Sequence, residues 1–149
     1  TLISDIRYTL KERPYGVGMA APQVGRNIAL SVIGIKPTPT RPDLTPFNSV
    51  IINPSIVETY GRRSRMWEGC ISCGTGKDIL YAQVPRYKKV KLAWTDEYAI
   101  DHEEIIEGFV AHVAQHEVDH LSGILFVDRV KNPSTYMMAD EFHKRIGKK

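Results

Sequence analysis

Residues 2–12, LISDIRYTLKE, place Leu2, Ile3, Ile6 and Leu10 at helical spacing, and Pro14 ends the run, so the chain is predicted to open on an amphipathic helix. A glycine-punctuated loop, PYGVGMAAPQVGRN, comes next, followed by IALSVIGI (28–35), a nearly continuous apolar run of strand length. The segment KPTPTRPDLTPFN (36–48) carries four prolines and is predicted to be an exposed loop, with too little chain before it to make a separate core. Strand-like pieces separated by turns are expected at SVIINP, SIVETYG and RSRMWEG, then at ILYAQVP, YKKVKLAWT and HEEIIEG. The period returns to helical in FVAHVAQHEVDHLSG (109–123), where Phe109, Val110 and Val113 share a stripe with the histidines and Gly123 is a natural C-cap. The terminal PSTYMMADEFHKRI reads as a short amphipathic helix. Mixed strands with one late central helix predict an α+β domain, and a chain of 149 residues is long enough to bury a core as a single domain.

Composition narrows the class. An apolar content of 42% and a charged content of 25% describe a globular chain, and no apolar run approaches the length that spans a bilayer. The first residues lack the basic-then-apolar layout of a signal peptide, so a cytoplasmic-type location without membrane association is expected. The sequence starts at Thr1, which leaves room for an upstream piece, including an organellar targeting segment. A net charge of +3 is mild, and the most basic stretch, RYKKVK (86–91), alternates like a solvated strand, so direct nucleic-acid binding is not expected. Two cysteines three residues apart are a thin disulfide framework, which favours thiol or metal chemistry.

His116-Glu117-Val118-Asp119-His120 is an H-E-x-x-H sequence. On a helix its two histidines lie one turn apart on one face and can reach a single ion, while Glu117 stands beside the first of them as a general base. The stripe continues through apolar Phe109 and Val113, so this face points inward. His112 precedes His116 by one turn, but His112 and His120 stand about 12 Å apart by helix rise, so three such histidines cannot close on one ion. His112 is therefore expected to be a wall of the site.

A third ligand can come from Cys70, Cys73, His102, His143 or a carboxylate. Cys70-x-x-Cys73 with His116 and His120 formally completes a Cys2His2 set, but the gap between the pairs is several times the roughly 12–15 residues of zinc fingers, and a structural site has no use for Glu117. The alternatives are an open catalytic site, as in a zinc peptidase or another metal hydrolase, and a closed structural one.

Three stretches occur in order: GVGMAAPQ (16–23), EGCIS (68–72) and QHEVDHLSG (115–123). They resemble the three signatures of the peptide deformylase family, G-x-G-x-A-A-x-Q, E-G-C-x-S and H-E-x-D-H, and the likeness extends through QVPRYKKVKL (83–92) and GILFVDRV (123–130). The resemblance implies a fold of mainly antiparallel strands packed around the H-E-x-x-H helix, in one catalytic domain over residues 1–149. It implies a divalent metal held by Cys70, His116 and His120, typically Fe2+ in the cell, with Zn2+, Ni2+ or Co2+ in preparations. Glu117 would be base and then acid, and Gln23, by its side-chain amide, and Ile71, by its backbone N–H, would hold the oxyanion. The reaction implied is removal of the N-formyl group from the initiator methionine of nascent polypeptides. The partners implied are the formylated peptide and, transiently, the ribosome.

The two glycines of the first motif would let an extended peptide approach the backbone closely. Val17, Gly18, Met66, Gly69, Phe109, His112 and Val113 are the expected substrate-binding residues, with Met66 on the face of Glu68 by strand alternation. The chain departs from the family pattern in several places. Cys73-Gly74-Thr75-Gly76-Lys77 follows E-G-C-x-S where a small hydrophobic residue and proline usually stand, and the loop before Val84 is longer by several residues. Lys77 is the candidate for the basic residue often found there. His112 replaces an apolar side chain, which predicts altered specificity. The usual strand before the first helix is absent from the sequence and the last helix is expected to be short, as in a compact bacterial-type or phage-encoded enzyme. Cys73 reads as a bystander.

Overall fold

The computed structural model describes residues 1–13 and 16–147. Helix α1, Leu2–Lys11, starts from a capping box in which the Thr1 hydroxyl accepts from the Ser4 N–H and Ser4 returns a bond to Thr1, and it buries Ile6. Pro14, expected to end this helix, lies outside the described residues. The strands are β1 (Gly18–Ala20), β2 (Leu30–Ile35), β3 (Phe47–Gly69), β4 (Leu80–Thr95), β5 (Asp101–Glu107) and β6 (Met137–Met138). They form a mainly antiparallel sheet in the order β1-β2-β3-β4-β5, with β6 on β4. The expected α+β class is the observed one.

Several expectations change. The glycine loop after α1 contains β1 and a 3-10 turn, Ala21–Val24. The three strand pieces expected between residues 49 and 69 are one 23-residue strand, and the two between 79 and 95 are one strand of 16. Asn53 (φ 47°) and Gly61 (φ 70°) carry left-handed backbone within β3, and the Asn53 N–H donates to the Ala29 carbonyl at 2.8 Å. Such residues bend or bulge a strand without ending it, yet in sequence they look like turns. The terminal segment is not one helix but a 3-10 turn (Pro133–Thr135), β6 and a helix of seven residues, Ala139–Arg145. A short helix at Phe126–Arg129, which periodicity is too brief to reveal, closes with the Asp128 carboxylate accepting from the Leu125 N–H at 2.8 Å.

Two compact units divide the chain. The first, Thr1–Arg62 with Tyr87–Ile124, contains α1, β1, β2, β5 and helix α2 (Gly108–Leu121). Its core is aliphatic: Ile33, Ile35, Ile51, Val90 and Leu92 from alternate strand positions pack with Val110, Val113 and Ala114 of α2. The second unit, Arg63–Arg86 with Leu125–Lys149, has a small core of Cys70, Ala82, Val84 and Phe126. The Tyr81 ring stacks on Phe142 at 4.0 Å between centroids, and Trp67 leans on the same ring at 5.5 Å. RYKKVK is not wholly solvated: Lys88 and Lys89 are exposed but Arg86 is buried, because its guanidinium has a buried carboxylate partner in Glu68. Among the described residues no helix is long and apolar enough to cross a membrane.

Candidate metal centre

The helix in the first unit carries the histidines. Gly108, with φ 65°, turns the chain out of β5 and into α2, and Gly123, with φ 71°, follows its C-cap Ser122. Gln115 fixes the helix to β4: its Oε1 accepts from the Tyr87 N–H at 3.1 Å, and its Nε2 donates to the Tyr87 and Ala111 carbonyls, both at 2.8 Å. One turn of helix then puts the Nε2 atoms of His116 and His120 3.0 Å apart, with their rings nearly perpendicular. Two imidazole nitrogens bound to one tetrahedral ion would lie about 3.3 Å from each other.

Glu117 is buried, and β1 passes directly over it. A Cβ on Gly18 would fall 2.7 Å from the Glu117 carboxyl carbon, so only glycine lets the carboxylate lie against this strand. The space beside the Gly18 Cα is thus occupied by the protein's own Glu117. Gln23 sits in the 3-10 turn after β1, where its Oε1 accepts from the Ala20 N–H at 2.8 Å. That bond fixes which end of the side-chain amide is the donor. His112 and Val113 are buried on α2, and half-buried Phe109 sets its ring edge-on to His112 at 6.1 Å. The Arg41 guanidinium, from the proline-rich loop, covers the Phe109 ring at 4.2 Å. Val17 is half-buried, and its carbonyl accepts from Gly34 N–H.

The second unit carries the cysteine. β3 ends at Gly69, and Cys70, 5% exposed, opens a tight turn closed by the Cys73 N–H donating to the Cys70 carbonyl at 2.9 Å. The Ser72 N–H points at the Cys70 sulfur at 3.4 Å. Two residues earlier, Glu68 accepts two bonds from Arg86, at 2.8 and 3.0 Å, with the two side chains 2% and 5% exposed. Breaking one side of such a buried pair costs about 3–5 kcal/mol, so this fork holds the strand end that presents Cys70. Gly69 is required by Tyr81, whose ring would stand 2.6 Å from an added Cβ. Met66 and Ile71 are half-buried, and Lys77 is exposed in the loop. Burial, then the neighbouring Cys70 and Asp128, raises the Cys73 thiol above its ordinary value.

Cys70, His116 and His120 form a Cys/His group that could hold a metal ion, each offering one ligand atom and all three within 4.8 Å of one another. One sulfur and two imidazole nitrogens suit zinc and the neighbouring divalent transition metals, and three protein ligands leave a coordination position open. Cys73 and His112 are outside this group. Gln115 and Arg86 were missed from sequence. Gln115 looks like a polar interruption of a helix, and Arg86 sits in a basic run, so the signal of each lies in a partner distant in sequence.

The model of the polypeptide deformylase family matches residues 1–136. The chain belongs to that family. Among curated deformylases, that of Leptospira biflexa is 40% identical over 91% of this chain and 74% of its own length, and that of Aquifex aeolicus 41% identical over 97% and 80%. A Met-Ala-Ser-bound class I type b peptide deformylase from Acinetobacter baumannii superposes with a TM-score of 0.76, at 36% identity over 87% of this chain and 79% of that one. A Legionella pneumophila deformylase gives 0.74 at 36% identity over 99% and 82%. The chain is thus a deformylase enzyme of a metal-dependent family, and the structural Cys2His2 reading gives way to it.

Proposed function

We propose that this deformylase hydrolyses the N-formyl group from the initiator methionine of nascent polypeptides and releases formate, acting as one catalytic domain. The observation that carries the reading is the Cys70, His116 and His120 group in a chain whose family acts through a metal. Fe2+ would be the resident ion in the cell, with Zn2+, Ni2+ or Co2+ taking its place in preparations. When bound, the ion lowers the pKa of a water to about 7 and polarises the formyl oxygen.

The remaining work falls to side chains. Glu117 accepts the proton of the attacking water on its carboxylate and delivers it to the departing amine nitrogen. Gln23, with its oxygen engaged by Ala20, donates through its NH2 to the formyl oxygen as charge collects there, and the Ile71 N–H donates to it as well. Each such donor is worth about 3 kcal/mol of barrier. Val17, Met66, Phe109, His112 and Val113 would surround the methionine side chain, with Gly18 and Gly69 contributing backbone beside it. His112 would bring a polar edge to that surround. The substrate emerges at the ribosome in the cytoplasm, where a transient contact would bring enzyme and peptide together.

The test is reconstitution with Fe2+ without oxygen, followed by assay on a formyl-methionyl peptide and on its unformylated counterpart. Activity confined to the formylated peptide is expected; cleavage of the unformylated peptide bond would turn the reading into that of a metallopeptidase. Cys70→Ala is expected to lose metal and activity. Glu117→Ala should keep metal and lose about 10²–10⁴-fold in rate. Cys73→Ala should keep both, and loss of metal there would sink the ligand assignment.

A further inference from the structure

Cys73 is the one chemically distinctive side chain of the turn to which the proposed mechanism gives no task. Neither Cys70 nor Cys73 is in a disulfide, and Cys73 packs against the small buried cluster of the second unit to which Cys70 belongs. The 2.9 Å bond from the Cys73 N–H to the Cys70 carbonyl makes residues 70–73 a β-turn, whose end Cα atoms lie within about 7 Å. A disulfide needs its Cα atoms about 4.4–6.8 Å apart, a range that a turn of this kind can supply.

The loop beyond keeps Cys73 in place. The Leu80 N–H donates to the Cys73 carbonyl at 3.0 Å. Gly74, at φ 112°, folds the chain so tightly that a Cβ there would fall 2.7 Å from the Asp78 carbonyl carbon. Only glycine takes this conformation in that space, so Gly74 sets the path of the chain leaving Cys73.

We propose that Cys73 is a resolving cysteine, which captures peroxide-oxidised Cys70 as a Cys70–Cys73 disulfide and so withdraws a metal ligand reversibly. The proposal rests on the reading of Cys70 as a ligand. In the first step the Cys70 sulfur attacks hydrogen peroxide. The O–O bond breaks, one oxygen stays on sulfur as a sulfenic acid, and the other leaves as hydroxide, which takes a proton from solvent to become water. In the second, the Cys73 sulfur attacks that of Cys70. The S–O bond breaks, an S–S bond forms, and the oxygen departs as water with the Cys73 proton. One electron from each sulfur has then reduced one peroxide. Without a neighbour to intercept it, the sulfenic acid continues to sulfinic and sulfonic acids, which dithiols do not reverse.

The experiment treats the metal-loaded full chain, wild type and Cys73→Ser, with hydrogen peroxide, then with dithiothreitol. Intact mass, peptide mapping and metal released to a chromogenic chelator are followed. Wild type is expected to lose two hydrogens, to yield a peptide linking Cys70 to Cys73, to release metal, and to rebind it after dithiothreitol. Cys73→Ser is expected to gain two or three oxygens on Cys70 and to recover less than about a tenth of its metal binding. Metal release from wild type without the linked peptide, or equal recovery in the two proteins, overturns the resolving role alone. A linked peptide formed while metal stays bound overturns the ligand reading of Cys70, and metal withdrawal with it.

Discussion

The two units hold their candidate ligand residues by different means. In the first, His116 and His120 ride on a helix embedded in aliphatic side chains, and the geometry follows from one turn of α-helix. In the second, Cys70 sits at the end of a strand and the start of a turn, in a core of four buried residues, held by an ion pair and an aromatic stack. A helix positions ligands through its own repeat. A turn positions them through whatever grips its ends, so the second unit should be the more sensitive to single polar substitutions.

Arg86→Ala is the largest test of that contrast. It leaves Glu68 buried and without its guanidinium, which is expected to cost about 3–5 kcal/mol in urea unfolding and to lower metal content through Cys70. Arg86→Lys should recover only part of the loss, because a single ammonium cannot reproduce the two-pronged bond to both carboxylate oxygens. Full stability in the alanine variant would show that the turn is held by something other than this fork.

Gly18→Ala acts within the first unit, on the carboxylate beside the histidines. The added methyl collides with Glu117, so the carboxylate must move while both histidines stay where the helix puts them. A displacement on the order of 1 Å is expected to lower kcat about 10²-fold with metal content unchanged. Equal loss of metal and rate would mean that β1 and α2 shift together.

The same contrast explains what the sequence could tell. Helix α2 was legible because apolar spacing, two histidines and Gly123 all repeat or punctuate at helical intervals. β3 and β4 were read as strand but cut into pieces, since Asn53 and Gly61 carry turn-like signals while acting as bends inside one strand. The site residues were nominated by resemblance and by H-E-x-x-H spacing. The supports were not: Gln115 matters through Tyr87, and Glu68 through Arg86, partners with no fixed spacing to find them by.

Gln115→Ala is the smaller counterpart of Arg86→Ala, now on the helix side. It deletes three hydrogen bonds, two of them to the Tyr87 backbone. A destabilisation of about 1–3 kcal/mol is expected, because aliphatic packing still holds α2. Metal affinity should fall less than in Arg86→Ala; the reverse order would contradict the claim that the helix carries its own geometry.

The smallest effect separates a buried ion pair in one unit from an exposed carboxylate hydrogen bond in the other. Glu68–Arg86 is buried, whereas His102 meets Asp96 at 2.7 Å on the exposed β4–β5 hairpin. The hydrogen bond from His102, and next the Ile100 N–H, hold the Asp96 carboxyl below its ordinary 3.8, against a small opposing effect of burial. A depressed carboxyl pKa stabilises the fold above the unfolded value, and that contribution disappears as pH falls through the folded value. Asp96→Asn should therefore leave stability at pH 7 slightly lower and flatten its decline below about pH 4. Water and salt screen this pair, so its part of the acid limb should shrink in 1 M salt, while the destabilisation by Arg86→Ala should persist there. If both effects vanish in salt, burial does not distinguish the two pairs, and the second unit is held by its aromatic stack rather than by its charges.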